Sequence, residues 1–299
     1  MDRIAFVFSG QGDQYPGMGK ELFEKDTAAK QVFLWCEQLR PGTLRQCFEG
    51  TREELKETKN TQPCLYTLEL AGAAALMEAG VMPKAVAGFS LGELAAAAVG
   101  GLFDRETGFE LVCRRGELMQ REAGKQDTFM AAVLKLSAEK TEALCKRYDG
   151  VYPVNYNCPG QTAVSGLSEK RKEFLEAVKA EGGRAVVLNV SGAFHSPFME
   201  GAAADFAGEL EKVTLRKSSI PLYSDVTGRP YTSDAAGLLS RQICSPVRWE
   251  ELIRNMRKDG IDTFIEIGPG KTLTNMIKKI EPEGKAFSIG EYLAEVEKC

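Results

Sequence analysis

The pentapeptide Gly88-Phe89-Ser90-Leu91-Gly92 fits G-x-S-x-G. In that pattern small residues let the chain turn sharply and leave a serine hydroxyl at the start of a helix. A serine hydroxyl attacks a carbonyl only when a base takes its proton. The chain has one histidine, His195, in Ala193-Phe194-His195-Ser196, so Ser90 and His195 form the obvious pair. Gln11 stands in Ser9-Gly10-Gln11-Gly12, a glycine loop after a short apolar run. A backbone N–H there could join that of Leu91, the residue after the serine, as an oxyanion hole. A glycine turn without a ligand, and a histidine that merely closes a strand, are the plainer readings of the same residues. Arg114 and Arg115 are neighbours in a helix-like segment that they begin. They point about 100° apart, so at most one of them faces a pocket, and an exposed arginine is the default.

The elements around these residues alternate between strand and helix. Ile4–Phe8 reads as a buried strand ending at the glycine loop. Thr61-Gln62-Pro63 reads as a helix start with proline in the first turn, the helix running to Gly80. Ala85–Gly88 reads as a strand, Phe89-Ser90 as a turn and Leu91–Val99 as a helix. The rhythm then changes to strand (128–136), helix (138–148), strand (151–157), strand (162–165), helix (169–181) and strand (185–190). That order is β-α-β-β-α-β, the ferredoxin-like split unit. It places a subdomain over residues 127–193 inside a larger α/β domain made of residues 1–126 and 194–299. Beyond it, residues 197–211 and 249–258 read as helices, and 221–224 and 263–267 as strands.

Composition narrows the chemistry. With 299 residues, 43% apolar and 27% charged, the chain belongs with ordinary folded proteins, which disfavours disorder and disulfide scaffolds. A net charge of −4, without a long Lys/Arg run, argues against nucleic acid as a partner. The stretch from Leu94 to Phe103 holds two glycines and falls far short of a bilayer span. The beginning of the chain lacks the pattern of a signal peptide, so the expectation is a cytoplasmic protein. Eight cysteines include no C-x-x-C pair, which with a single histidine argues against a metal site. Two nucleotide-binding patterns are incomplete. Gly10-Gln11-Gly12-Asp13-Gln14-Tyr15 is one glycine short of G-x-G-x-x-G, and Gly268-Pro269-Gly270-Lys271-Thr272 has Ile265 where a P-loop needs its first glycine.

Taken together, the motifs resemble the malonyl-CoA:acyl carrier protein transacylase family and the acyltransferase domains of polyketide synthases. The similarity runs over nearly the whole chain. It is carried by Gly10-Gln11-Gly12-Asp13-Gln14, Thr61-Gln62-Pro63, Gly88-Phe89-Ser90-Leu91-Gly92-Glu93, Arg115-Gly116-Glu117-Leu118-Met119-Gln120 and Asn157-Cys158-Pro159-Gly160-Gln161. Further along the chain it continues with Ala193-Phe194-His195-Ser196, Arg241-Gln242, Pro246-Val247-Arg248-Trp249 and Glu266-Ile267-Gly268-Pro269-Gly270.

The resemblance implies an α/β-hydrolase-like core with a parallel sheet and an inserted ferredoxin-like subdomain. It implies ping-pong transfer of a malonyl group from malonyl-CoA to the phosphopantetheine thiol of an acyl carrier protein, in fatty acid or polyketide synthesis. Ser90 would be the nucleophile, His195 its base, and Gln11 and Leu91 the oxyanion donors. Arg115 would hold the malonyl carboxylate, and the carbonyl of Gln242 would orient the histidine. Phe194 and Gln62 would line the acyl site. Coenzyme A enters as a thioester substrate, no cofactor or metal is implied, and the expected state is a free-standing monomer. A thioester hydrolase or a transacylase for another acyl group is the alternative. The sequence departs from the family pattern at Phe89, where histidine is usual, at Ser9, where proline is usual, and at Asp13, where serine is usual.

Overall fold

In the computed structural model, which describes residues 3–190 and 192–296, the first apolar run forms β1, Ile4–Phe8. β1 is the middle strand of a five-stranded parallel sheet. On one side lie β2 (Ala85–Gly88) and then β7 (Leu222–Tyr223); on the other lie β8 (Thr263–Ile267) and then β9 (Lys285–Ser288). Successive side chains of a strand point to opposite faces. Phe6 and Phe8 accordingly enter one core, around the almost wholly buried helix Thr58–Glu78, while Ala5 and Val7 enter another around Trp249 and Phe264. Burial on both faces is what a parallel sheet requires.

The register decides where the site lies. Phe8 sits opposite both Gly88 and Ile267, so β1, β2 and β8 end level with one another. Their three outgoing loops, which carry Gln11, Ser90 and Gly268-Pro269-Gly270, meet at the carboxyl edge of the sheet, where open α/β folds bind ligands.

A second, antiparallel sheet has the order β4-β5-β3-β6, from β3 (Thr128–Leu134), β4 (Val151–Cys158), β5 (Gln161–Leu167) and β6 (Arg184–Val187). Helices Ala138–Cys145 and Arg171–Ala180 give it its own core with Phe174 and Val178. This is the ferredoxin-like arrangement beside an α/β core with a parallel sheet. It is tied to the rest of the chain near the site. Val247 exchanges backbone hydrogen bonds with β4, at 2.8 Å from Tyr156 N and 2.9 Å to Val154 O, and Ser165 Oγ on β5 donates to Phe194 O at 3.2 Å.

Several element boundaries differ from the sequence expectation by a few residues, among them β6, which ends at Val187 instead of 190, and two of them bear on the site. The long helix begins at Thr58, not at Thr61, and Pro63 lies inside it. The Thr58 N–H, which has no acceptor within the helix, is taken by Gln120 Oε1 at 2.7 Å, so a distant residue fixes the start. The helix carrying the two arginines begins not with them but at Arg105, behind Asp104, whose side chain accepts Thr107 N–H at 2.8 Å.

The serine turn depends on two glycines that admit no side chain. A Cβ on Gly88 would lie 2.0 Å from Glu93 N, and one on Gly92 would lie 2.3 Å from Phe8 O. Backbone atoms cannot swing aside as a flexible side chain can. Gly88→Ala is expected to cost more than about 4 kcal/mol, in the range reserved for severe strain or overpacking. Urea unfolding would measure it, and a loss of less than about 1 kcal/mol would show that the turn can relax.

Candidate active site

Ser90 follows β2 and adopts φ 54°, and His195 adopts φ 61°. Both lie in the left-handed region that side chains rarely enter, and such strain collects at functional sites. The two meet across 105 residues: His195 Nε2 is 2.8 Å from Ser90 Oγ. His195 Nδ1 is 2.9 Å from Gln242 O. A carbonyl only accepts, so Nδ1 carries the hydrogen, and Nε2 is left with a lone pair directed at the Ser90 hydroxyl. The Gln242 carbonyl thus stands where a hydrolase triad has its carboxylate.

Burial lowers the His195 pKa to about 4, and the neighbouring Arg115 charge adds to the effect. The imidazole is thus neutral, the form a base requires, throughout the physiological range.

The adjacent arginines separate as their spacing demands. Arg114 is exposed and pairs with Glu117 at 2.8 Å and Glu209 at 3.4 Å. Arg115 is fully buried. Its Nη2 donates to Gln242 Oε1 at 2.7 Å and to Ser90 Oγ at 3.3 Å, both neutral oxygens, while Nε and Nη1 have no partner among the described residues. Desolvation lowers its pKa to about 10, opposed by Asp225 and Glu93 nearby, so it stays a cation at neutral pH. A buried guanidinium with donors to spare, beside the nucleophile, is built to receive a planar anion.

The remaining candidates lie around this centre. Leu91 is buried and opens helix Gly92–Gly100, so its N–H is among those with no acceptor inside the helix. The Gln11 loop presses on the turn: a Cβ on Gly10 would lie 2.9 Å from Phe89 O. Gln11 Nε2 reaches Thr58 Oγ1 at 3.5 Å, which directs its side chain toward the long helix. Gln62 is buried on that helix, with Nε2 3.3 Å from Met119 Sδ and Oε1 without a partner among the described residues. Phe194, next to the histidine, is buried.

The three departures from the family pattern have visible consequences. The Phe89 ring packs edge-on to Trp249 at 5.5 Å, so the wall beside Ser90 is anchored in the second core. Ser9 Oγ donates to the buried Glu69 at 2.8 Å, which ties the Gln11 loop to the long helix. Asp13 stands against Gly270, whose Cβ would lie 2.6 Å from Asp13 Oδ2.

The P-loop-like segment is closed to phosphate. Glu266 already accepts Leu273 N–H at 3.0 Å and Thr274 N–H at 2.7 Å, and Lys271 pairs with Glu291 at 2.6 Å. Among the described residues no cluster of His, Cys, Asp and Glu could hold a metal ion, and no helix is long and apolar enough to cross a membrane.

Two residues at the site escaped the sequence reading. Asp225 accepts the Ser90 N–H at 2.8 Å, and Glu93 accepts the Asp225 N–H at 3.1 Å. Glu93 lies next to the G-x-S-x-G pattern, and a buried acid one turn after the serine was the available signal. Nothing near Asp225 supplied one.

Comparison with known proteins identifies relatives of the whole chain. A family profile described as an acyl transferase domain matches residues 5–292. The malonyl CoA-acyl carrier protein transacylase of Bacillus subtilis is 37% identical over 97% of this chain and 94% of its own. The polyketide biosynthesis malonyl CoA-acyl carrier protein transacylase of Bacillus velezensis is 38% identical, over 95% of this chain and 98% of its own. Among solved structures, the malonyl CoA-acyl carrier protein transacylase of Clostridium perfringens superposes with a TM-score of 0.94 at 34% identity, covering 99% of this chain and 98% of its own. A malonyl-transacylase solved in complex with its type II polyketide acyl-carrier protein superposes with a TM-score of 0.95 at 31% identity, covering 100% of both chains.

Proposed function

The chain belongs to the acyl transferase domain family, and on that footing we propose that it transfers a malonyl group from malonyl-CoA to the phosphopantetheine thiol of an acyl carrier protein. The observation that carries this reading is the buried Arg115 guanidinium, 3.3 Å from Ser90 Oγ and bonded to neutral oxygens. It suits an acyl group that ends in a carboxylate. Removing stray acyl groups by hydrolysis would need no such clamp.

Each half-reaction balances on the same two residues. Ser90 Oγ bonds to the thioester carbon as its proton passes to His195 Nε2, and the oxyanion rests on the N–H groups of Gln11 and Leu91. The C–S bond then breaks, the proton on His195 goes to the departing sulfur, and free coenzyme A leaves. In the second half the carrier thiol gives its proton to His195, its sulfur bonds to the acyl carbon, the Oγ–acyl bond breaks, and Ser90 Oγ takes the proton back from His195. Gln62 and Phe194 line the acyl site. Coenzyme A is a substrate here, and no cofactor enters the scheme. We take the enzyme to be a monomer and place it in the cytoplasm.

The intact mass of the protein after brief exposure to malonyl-CoA tests the reading. One malonyl adduct is expected, lost when phosphopantetheinylated carrier protein is added and recovered on that carrier. Steady release of coenzyme A without an adduct or a loaded carrier would replace transfer by hydrolysis.

Arg115→Ala should reduce kcat/KM for malonyl-CoA by about 2 to 5 kcal/mol, the cost of breaking a buried charge pair. Acetyl transfer should be spared or raised. Equal losses for malonyl and acetyl groups would make Arg115 a structural residue.

A further inference from the structure

Asp225 lies just beyond β7 and is fully buried, as is Glu93, the second residue of the helix after Ser90. Asp225 Oδ2 accepts the Ser90 N–H at 2.8 Å and Gln242 Nε2 at 3.3 Å. Glu93 Oε2 accepts Gln242 Nε2 at 3.0 Å and the Asp225 N–H at 3.1 Å, and its Oε1 accepts the Tyr231 hydroxyl. Gln242 Nε2 also donates to Ser90 O at 2.6 Å. The two acids therefore grip the serine turn and the residue whose carbonyl orients the histidine.

This cluster is short of one hydrogen. Asp225 Oδ1 is buried and receives no donor among the described residues, and the two carboxyl groups are drawn to the same amide, Gln242 Nε2, at 3.3 Å from Asp225 Oδ2 and 3.0 Å from Glu93 Oε2. Ionising a second carboxylate on the same donor, out of water, is strongly disfavoured. Burial and the Glu93 charge both push the Asp225 carboxyl well above the usual carboxylate range. The charged and titratable groups facing the pair are Arg115 from helix Arg105–Ala123, Tyr231 from the loop after β7, and His195 across Ser90.

We propose that Asp225 and Glu93 share one proton, and that Asp225 is a positioning residue which, through this pair, holds the Ser90 turn and keeps one buried negative charge, not two, near Arg115. The second part rests on the malonyl-transfer reading, because the charge matters only when an anionic acyl group must reach Arg115. Losing the shared proton at alkaline pH adds a second buried negative charge against the incoming carboxylate, so KM for malonyl-CoA rises.

Asp225→Asn tests this, because an amide oxygen can still accept the Ser90 N–H while its NH₂ supplies to Glu93 the hydrogen that the acid pair shares. Asp225→Ala should slow acylation of Ser90 by about tenfold or more through loss of alignment, and Asp225→Asn should recover most of that rate. Below the Arg115 pKa of about 10, where the guanidinium keeps its charge, an alkaline rise in KM for malonyl-CoA should be present in the wild-type enzyme and absent from Asp225→Asn. The infrared difference spectrum of wild type minus Asp225→Asn at neutral pH should contain a protonated-carboxyl band. That band does not depend on acyl transfer, so it separates failure of the shared proton from failure of the functional reading. Absence of the band overturns the shared proton. An alanine variant with the wild-type rate and pH profile, or a folded asparagine variant that keeps the alkaline rise in KM, overturns the positioning role.

Discussion

Ser90→Ala is expected to gain no mass on exposure to malonyl-CoA and to load no carrier protein. The whole of the proposed transfer passes through an Oγ–acyl bond, so the loss is of the route and not of a fraction of its rate. In triad enzymes a residual catalysis of roughly 10³–10⁴ over water survives removal of the nucleophile, through the oxyanion donors and substrate binding. Here that residue could act only by bringing the carrier thiol directly to the bound thioester, which would show as slow transfer without an adduct. Alanine has a Cβ as serine does, so the strain at φ 54° is unchanged, and the turn is still held through the Ser90 N–H bond to Asp225 at 2.8 Å. The variant should therefore fold, and its thermal unfolding should fall below that of the parent by no more than the hydrogen bonds that Ser90 Oγ makes with His195 and Arg115 contribute. A covalent adduct that persists in this variant would remove Ser90 from the mechanism.

The centre of the site could be read from the sequence because its chemistry is scarce. One histidine in 299 residues left a single base for the serine of G-x-S-x-G, and those two side chains meet at 2.8 Å. The choice between Arg114 and Arg115 came from the resemblance, although Glu117 three residues after Arg114 marked that arginine as part of a solvated ion pair. Asp225 was hidden for a physical reason. Within Ser224-Asp225-Val226-Thr227 it has the local signature of a turn residue, and its bond to the Ser90 N–H spans 135 positions. The early start of the long helix was hidden in the same way, because the Gln120 side chain that accepts the Thr58 N–H is 62 positions away. By contrast β1 and β8 run as expected, β1 as an unbroken apolar run and β8 as a mostly apolar one that ends at a glycine turn.

His195→Ala should slow acylation of Ser90 by roughly 10²–10⁴, the usual contribution of a positioned general base. The Gln242 carbonyl would also lose its partner, at a cost to stability of about 1 to 3 kcal/mol. The pH dependence of the intact enzyme gives a sharper prediction. Catalysis needs neutral imidazole, so activity is full above the His195 pKa and falls as pH drops through it. With that pKa near 4 in the free enzyme, kcat/KM for malonyl-CoA should stay level from pH 7 well below the ordinary histidine value before it declines. Burial is the first cause of the depression and the Arg115 charge the second. A malonyl carboxylate on Arg115 offsets that charge, makes the imidazolium less unfavourable and raises the pKa. The acid limb of kcat, which reports the substrate complex, should therefore lie at higher pH than that of kcat/KM, which reports the free enzyme. In Arg115→Ala the second cause is gone, so the acid limb of kcat/KM should move upward and the separation between the two limbs should close. Single-turnover acylation after pH jumps would record both limbs, and coincident limbs near the ordinary histidine pKa would show that His195 does not work as a buried base beside a cation.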